Sequence, residues 1–246
     1  MNDSESIYFS RVGKNILNPT NYPKEVKEYL NDEYEFIKTL MYNFNGLIEI
    51  GCFDATYALL CSSLSKHYIG IDIVPEYIEE ANHKLNFWSL DNDKFEVLNL
   101  DAHSISELPL KSNIYKNLPS KEWLIFFPFN CLGNLPNPTK VIEGLKTLKS
   151  NSFISTFNVS KKSTEVRKEY YSNCEIINLK IKALAEGIRF TSSEKFSSIA
   201  YTNTWIFKHL SGLCENTSYF NLGSVGVAVL NSNFLIDETE MPSFSN

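Results

Sequence analysis

Residues 47–85, LIEIGCFDATYALLCSSLSKHYIGIDIVPEYIEEANHKL, decide how this chain folds. Leu47-Ile48-Glu49-Ile50 is a short apolar run carrying one carboxylate, and it ends at Gly51. Residues 55–64 have helix-compatible spacing. Tyr68-Ile69-Gly70-Ile71 is a second apolar run, closed by Asp72. Pro75 then opens a helix over 75–85, at the first-turn position where its missing N–H is harmless. The order strand, glycine turn, helix, strand, acid is that of a βαβ unit. Asp72 lies 21 residues beyond Gly51, where such a unit places a carboxylate to take a ribose diol. The unit therefore predicts a site for a nucleoside-containing cofactor.

The loop after the first strand separates two cofactor classes. A dinucleotide wants G-x-G-x-x-G, so that its pyrophosphate reaches a helix N-terminus. The letters here are Gly51-Cys52-Phe53-Asp54-Ala55-Thr56, with only the first glycine in place. Phe53 would crowd a pyrophosphate and Asp54 would repel it, which disfavours a nucleotide-dependent oxidoreductase. Glu49 and Asp54 suit a cofactor bearing an ammonium and a sulfonium.

At these residues the chain resembles the class I S-adenosylmethionine-dependent methyltransferases. Their first motif, roughly E/D-x-G-x-G-x-G, stands here as Glu49-Ile50-Gly51-Cys52-Phe53-Asp54-Ala55, with Phe53 at the second glycine and Asp54 or Ala55 at the third. Phe95-Glu96-Val97-Leu98-Asn99-Leu100-Asp101-Ala102 resembles the third motif, and Trp123-Leu124-Ile125-Phe126-Phe127-Pro128-Phe129-Asn130 looks like the fourth strand and its following loop. The likeness spans roughly residues 45–230. It implies an α/β fold with a Rossmann-like, seven-stranded, mostly parallel sheet, an antiparallel last strand and helices on both faces. It implies S-adenosylmethionine as cofactor. Gly51 would give the close backbone approach, Glu49 and Asp54 would face the aminocarboxypropyl arm, and Asp72 and Ile73 would lie at the ribose. Asp101 and Ala102 would read the adenine, and Phe127 would complete the cofactor side. Methyl transfer to nitrogen or oxygen follows as the expected activity.

Composition narrows the acceptor. The chain has 246 residues, enough for one α/β domain with an added lobe. A net charge of −6 offers no long-range attraction to phosphate backbones, so a small molecule is expected before nucleic acid. Peptide or protein side chains stay open as acceptors. So does a non-catalytic, cofactor-binding partner or sensor protein, given the altered first motif. The 17 Phe and 13 Tyr suit either an enclosed apolar pocket or aromatic core packing. Five cysteines without a C-x-x-C pair, and four histidines apart from them, predict neither a metal site nor a disulfide framework. The polar start Met1-Asn2-Asp3-Ser4-Glu5-Ser6 does not read as a leader, and no run reaches the roughly 18 apolar residues of a membrane span. A cytoplasmic monomer or homodimer is the expectation.

Residues 1–45 read as an N-terminal segment, a lid with Tyr8 and Tyr22 as anchors and then a helix opened by Pro23. Val26, Tyr29, Leu30, Phe36, Ile37 and Leu40 recur there at helical spacing. Residues 46–231 form the expected cofactor-binding domain, and 232–246 a loose tail. After a fifth strand at 152–157 the alternation breaks. Residues 158–200 hold a charged helix over 163–174 and β-type runs at 176–182 and 187–191. Ligands of open α/β sheets bind at the carboxyl edge, so this insertion is expected to cap the substrate pocket. The strands at 219–222 and 225–230 flank Gly223-Ser224, a hairpin signal.

Asn130 and His103 are the candidate catalytic residues, and Asn134, Arg167, Tyr171 and Arg189 the candidate acceptor contacts. Asn130 and Asn134 offer uncharged donors and acceptors, or else serve the turn that holds them. Arg167 stands three residues before Tyr170 on a helix and suits a carboxylate clamp, or else belongs to a solvated charged face. His103 is a candidate base or a polar loop residue, and Tyr201 a further candidate.

Overall fold

The computed structural model describes residues 12–193 and 195–235. The helix expected after Pro23 is α1 (Lys24–Leu40), with Val26, Tyr29, Phe36, Ile37 and Leu40 buried along one stripe. It leads into β1 (Gly46–Ile50), α2 (Tyr57–Ser63), β2 (His67–Asp72), α3 (Pro75–Phe87) and β3 (Phe95–Asn99). A 3-10 stretch (Ala102–Glu107) and a single helical turn (Leu108–Lys111) connect to β4 (Trp123–Phe127). Then follow α4 (Pro138–Leu148) and β5 (Asn151–Phe157).

The sheet has the order β3-β2-β1-β4-β5-β10-β9, with β9 (Asn216–Leu222) and β10 (Gly226–Ser232) closing one edge. β1 to β5 run parallel, and β10 is antiparallel to both β5 and β9. Every residue of β1, β4 and β5 is buried, as expected of parallel strands covered on both faces. One apolar layer joins this sheet to α1, α2 and α3, and the other joins it to α4 and α6 (Asn203–Leu210). The order reverses at β1 and β4, so the crevice above their carboxyl ends is where an open α/β sheet takes its ligand.

The insertion is more elaborate than the sequence suggests. It holds α5 (Lys161–Asn173) and a separate antiparallel sheet of β6 (Lys180–Leu184), β7 (Gly187–Thr191) and β8 (Ser197–Tyr201). β6 begins four residues into the run expected at 176–182 and ends two residues beyond it, and β8 was not anticipated. α5 starts at Ser160, whose hydroxyl accepts from the Ser163 N–H (3.1 Å). Tyr170, Tyr171, Phe190 and Phe196 join the core layer that holds Tyr29 and Phe157. The apolar face of the insertion is therefore spent on α1 and β5.

Candidate active site

A cavity of about 570 Å³ opens at the carboxyl ends of the central strands. Following the sheet order, its wall passes from Asp101, Ala102 and His103 after β3, through Asp72 and Ile73 at β2, to Glu49 and Gly51 at β1. It ends at Pro128 and Phe129 after β4. Gly13, Ile16, Leu17, Pro19 and Tyr22 close it from the N-terminal side, where residues 12–16 are helical. Tyr8 lies outside the described residues.

The loop after β1 keeps a glycine-type backbone despite its altered letters. Gly51 has φ +73°, and Phe53 and Ala55, at alternate positions beyond it, have φ +48° and +57°. These are left-handed conformations that glycine takes without strain and other residues rarely adopt. The third glycine position is therefore Ala55 and not Asp54. The Phe53 N–H donates to Asp72 Oδ2 (3.1 Å), and the Val74 N–H donates to Asp72 Oδ1 (2.9 Å). These bonds aim the Asp72 carboxylate across the crevice. The Phe53 ring turns onto Tyr77, with centroids 4.6 Å apart, instead of filling the loop.

The wall is acidic. Glu33, Glu49, Asp54, Asp72 and Asp101 line it, and among the described residues no Lys or Arg does. Burial pushes the Glu49 carboxyl well above the usual range; the Tyr68 hydroxyl, donating to Glu49 Oε2 at 2.6 Å, opposes the rise, and the neighbouring acids add to it. Burial likewise raises Asp72 against the backbone N–H groups that hold its charge. A cationic ligand relieves both. Asp54 is less free than expected: its carboxylate pairs with Lys84 and accepts from Thr56 Oγ1 (2.7 Å). Asp101 Oδ1 accepts from the His103 N–H (2.9 Å) and lies 2.7 Å from His103 Nδ1. His103 Nε2 is buried on this wall with no partner among the described residues.

Glu33 escaped the sequence reading. It sits inside the apolar stripe of α1, four residues after Tyr29 and three before Phe36, and is 1 % exposed. Its Oε2 accepts from the Phe129 N–H (2.8 Å) and its Oε1 from the Tyr57 hydroxyl (3.2 Å). The Tyr29 hydroxyl, 2.6 Å from Ser155 Oγ, ties α1 to β5 one turn earlier and so fixes where Glu33 points. Burial raises the Glu33 carboxyl to about 7. A carboxylate in the buried stripe of an amphipathic helix was the available signal, since such groups are almost never fully buried without a partner.

Several expected contacts are placed elsewhere. Asn134 lines the cavity, but Asn130 does not. Asn130 is buried at φ +60°, donates to Ser198 Oγ (3.0 Å) and accepts from the Thr156 hydroxyl. It holds the turn after β4 to β5 and β8. Phe127 points into the core layer beneath, and Phe129 takes the wall position. None of the described residues of 158–200 lines the cavity. Arg167 is fully buried under Phe157, Tyr171 and Phe190, with Cζ 4.5–5.6 Å from their centroids. Tyr171 shares that cluster, Tyr201 stacks on Trp205, and Arg189 pairs with Glu186 (3.1 Å). The insertion acts one layer out. The Tyr170 hydroxyl donates to Ile16 O (2.6 Å) and Asn173 Nδ2 to Asn21 O (3.1 Å), so it braces the N-terminal lid from behind. Among the described residues no helix is long and apolar enough to cross a membrane, and no group of His, Cys, Asp and Glu is placed to hold a metal.

No protein-family model and no curated protein sequence matches the chain. Solved structures do. The PH0226 protein from Pyrococcus horikoshii OT3 superposes with a TM-score of 0.60 at 12 % identity, covering 88 % of this chain and 96 % of its own. The magnesium protoporphyrin IX methyltransferase of Synechocystis PCC 6803, solved with bound SAH, gives 0.55 at 12 % identity, covering 92 % and 97 %. A S-adenosylmethionine-dependent methyltransferase from Clostridium acetobutylicum ATCC 824 gives 0.54 at 14 % identity, covering 91 % and 98 %. Identities this low speak for the fold, and the strand order, the antiparallel β10 and the crevice above β1 and β4 agree with it. The chain has the class I, Rossmann-like methyltransferase fold.

Proposed function

We propose that the chain is a S-adenosylmethionine (SAM)-dependent methyltransferase acting on nitrogen or oxygen of a small molecule. The observation that carries the reading is the acidic wall at the strand ends, which suits a sulfonium nucleoside and opposes a pyrophosphate. When bound, SAM supplies a methyl group already activated on a sulfonium. The residues that would hold it are Glu49 and Gly51 for the aminocarboxypropyl arm, Asp72 and Ile73 for the ribose, and Asp101 and Ala102 for the adenine. His103, with its unpartnered nitrogen, is assigned to that end of the cavity and not to catalysis. The domain is residues 46–231, with residues 12–22 as its lid. The chain's share of the work is to align the acceptor, exclude water and handle a proton.

The test is transfer of labelled methyl from SAM into a metabolite library, read by mass spectrometry; absence of transfer from a chain that binds SAM would favour the sensor reading. Asp72→Ala is expected to weaken SAM by about 1.5–3 kcal/mol, the worth of hydrogen bonds to a charged group. Calorimetry reads this, and unchanged affinity in a folded variant places the ribose elsewhere.

A further inference from the structure

The acids at the ends of β1, β2 and β3 have uses in the cofactor reading, but Glu33 has none. It lies at the other end of the wall, against the loop after β4. All its hydrogen-bond partners given above are neutral donors, and no cation pairs with it among the described residues. The side chains about it are aromatic. Tyr57 bonds it through its hydroxyl and Phe129 through its main-chain N–H, Tyr22 lies 5.7 Å from the Phe129 ring, and Tyr34 lies 6.0 Å from the Tyr57 ring. All four line the cavity. A buried carboxylate within aromatic faces, on a wall that holds no Lys or Arg among the described residues, is suited to an ammonium. It repels a carboxylate or phosphate. This reverses the carboxylate clamp expected from Arg167, whose guanidinium is sealed in the core.

We propose that the methyl acceptor is an amine with an apolar or aromatic body, bound as its ammonium by Glu33, which then removes its proton. The inference rests on the methyltransferase reading above. An ammonium has no lone pair, so transfer requires that one N–H proton pass to the Glu33 carboxylate. The freed pair forms the N–C bond, the C–S bonding pair stays with sulfur, and the product leaves as the N-methylammonium. A carboxyl that titrates near neutrality is matched to that proton transfer.

The experiment is calorimetry on the full chain saturated with S-adenosylhomocysteine (SAH), titrated with benzylamine, phenethylamine and, as anionic isosteres, phenylacetate and 3-phenylpropionate. The amines are expected to bind and the acids not. Near pH 6.5, amine binding should release a proton, seen as a dependence of the heat on the buffer's ionisation enthalpy, because the ammonium selects ionised Glu33. Glu33→Gln should weaken amine binding at least tenfold and abolish the proton release, while changing SAH affinity less than twofold. Equal or better binding of the acids, failure of every amine to bind the SAH complex, or a tenfold loss of SAH affinity in Glu33→Gln each overturns the assignment; the last makes Glu33 a cofactor residue. Failure of the wild-type chain to bind SAH at all instead overturns the methyltransferase reading on which it stands.

Discussion

Arg167→Ala is expected to lower the unfolding free energy by about 3–4 kcal/mol, the range for emptying a large buried side-chain site. The guanidinium is fully buried and pairs with no carboxylate among the described residues. Nη1 donates to Ile188 O (3.2 Å), and Nη2 reaches the Tyr171 hydroxyl (3.3 Å) and Ser198 (3.3 Å to Oγ). Nε has no partner among the described residues. The charge is held by carbonyl and hydroxyl oxygens and by three ring faces, while the stem fills the joint between α5, β7, β8 and β5. Truncation leaves a cavity there. Arg167→Met keeps most of the stem volume and removes the charge, whose burial is itself unfavourable. It should therefore recover at least half of the loss. Denaturant unfolding of both variants measures this. Cofactor affinity of Arg167→Met should be unchanged; a selective loss of acceptor binding at full stability would return Arg167 to the substrate.

Glu33→Gln is expected to stabilise the ligand-free protein by about 3 kcal/mol at pH 8, from a carboxyl raised from 4.5 to about 7 in the folded state. The sign follows from which state holds the proton. Below pH 4.5, Glu33 is protonated whether folded or not, and the variant gains nothing. Between 4.5 and about 7 the unfolded chain ionises first, so folding of the wild type becomes progressively less favourable. Above that window the penalty is level. Thermal or denaturant unfolding across this range should show the advantage of Glu33→Gln growing through the window and then holding. An advantage independent of pH would mean that burial of this carboxylate is not its source.

The convergence of the residues expected to hold the cofactor on one cavity was readable because it depends on backbone order. The apolar run into Gly51, the acid at the end of β2 and the Asp-Ala pair after β3 each occupy a strand end, and strand ends converge in a parallel sheet. The placement of the residues expected to contact the acceptor depends on which face a side chain takes, and there the letters were silent. β4 is Trp-Leu-Ile-Phe-Phe and buried on both sides, so no alternation marks where Phe127 points. Phe126 enters one core layer and Phe127 the other. Arg167 looked exposed because its helix is charged, yet aromatic residues distant in sequence close over it. Asn130 was read as reaching a ligand, whereas its left-handed backbone turns the amide toward Thr156 and Ser198. β8 was missed because Ser197-Ser198-Ile199-Ala200-Tyr201 is short and half polar, and its partner strand supplies the pairing that its own propensity does not.

The central claim is that the crevice above β1 and β4 holds a sulfonium nucleoside. Isothermal titration of the purified chain with SAM, SAH and NAD tests it most directly. The account predicts micromolar binding of SAM and SAH, about −8 kcal/mol, and no binding of NAD. Binding of NAD by a folded chain that takes up neither SAM nor SAH would contradict it.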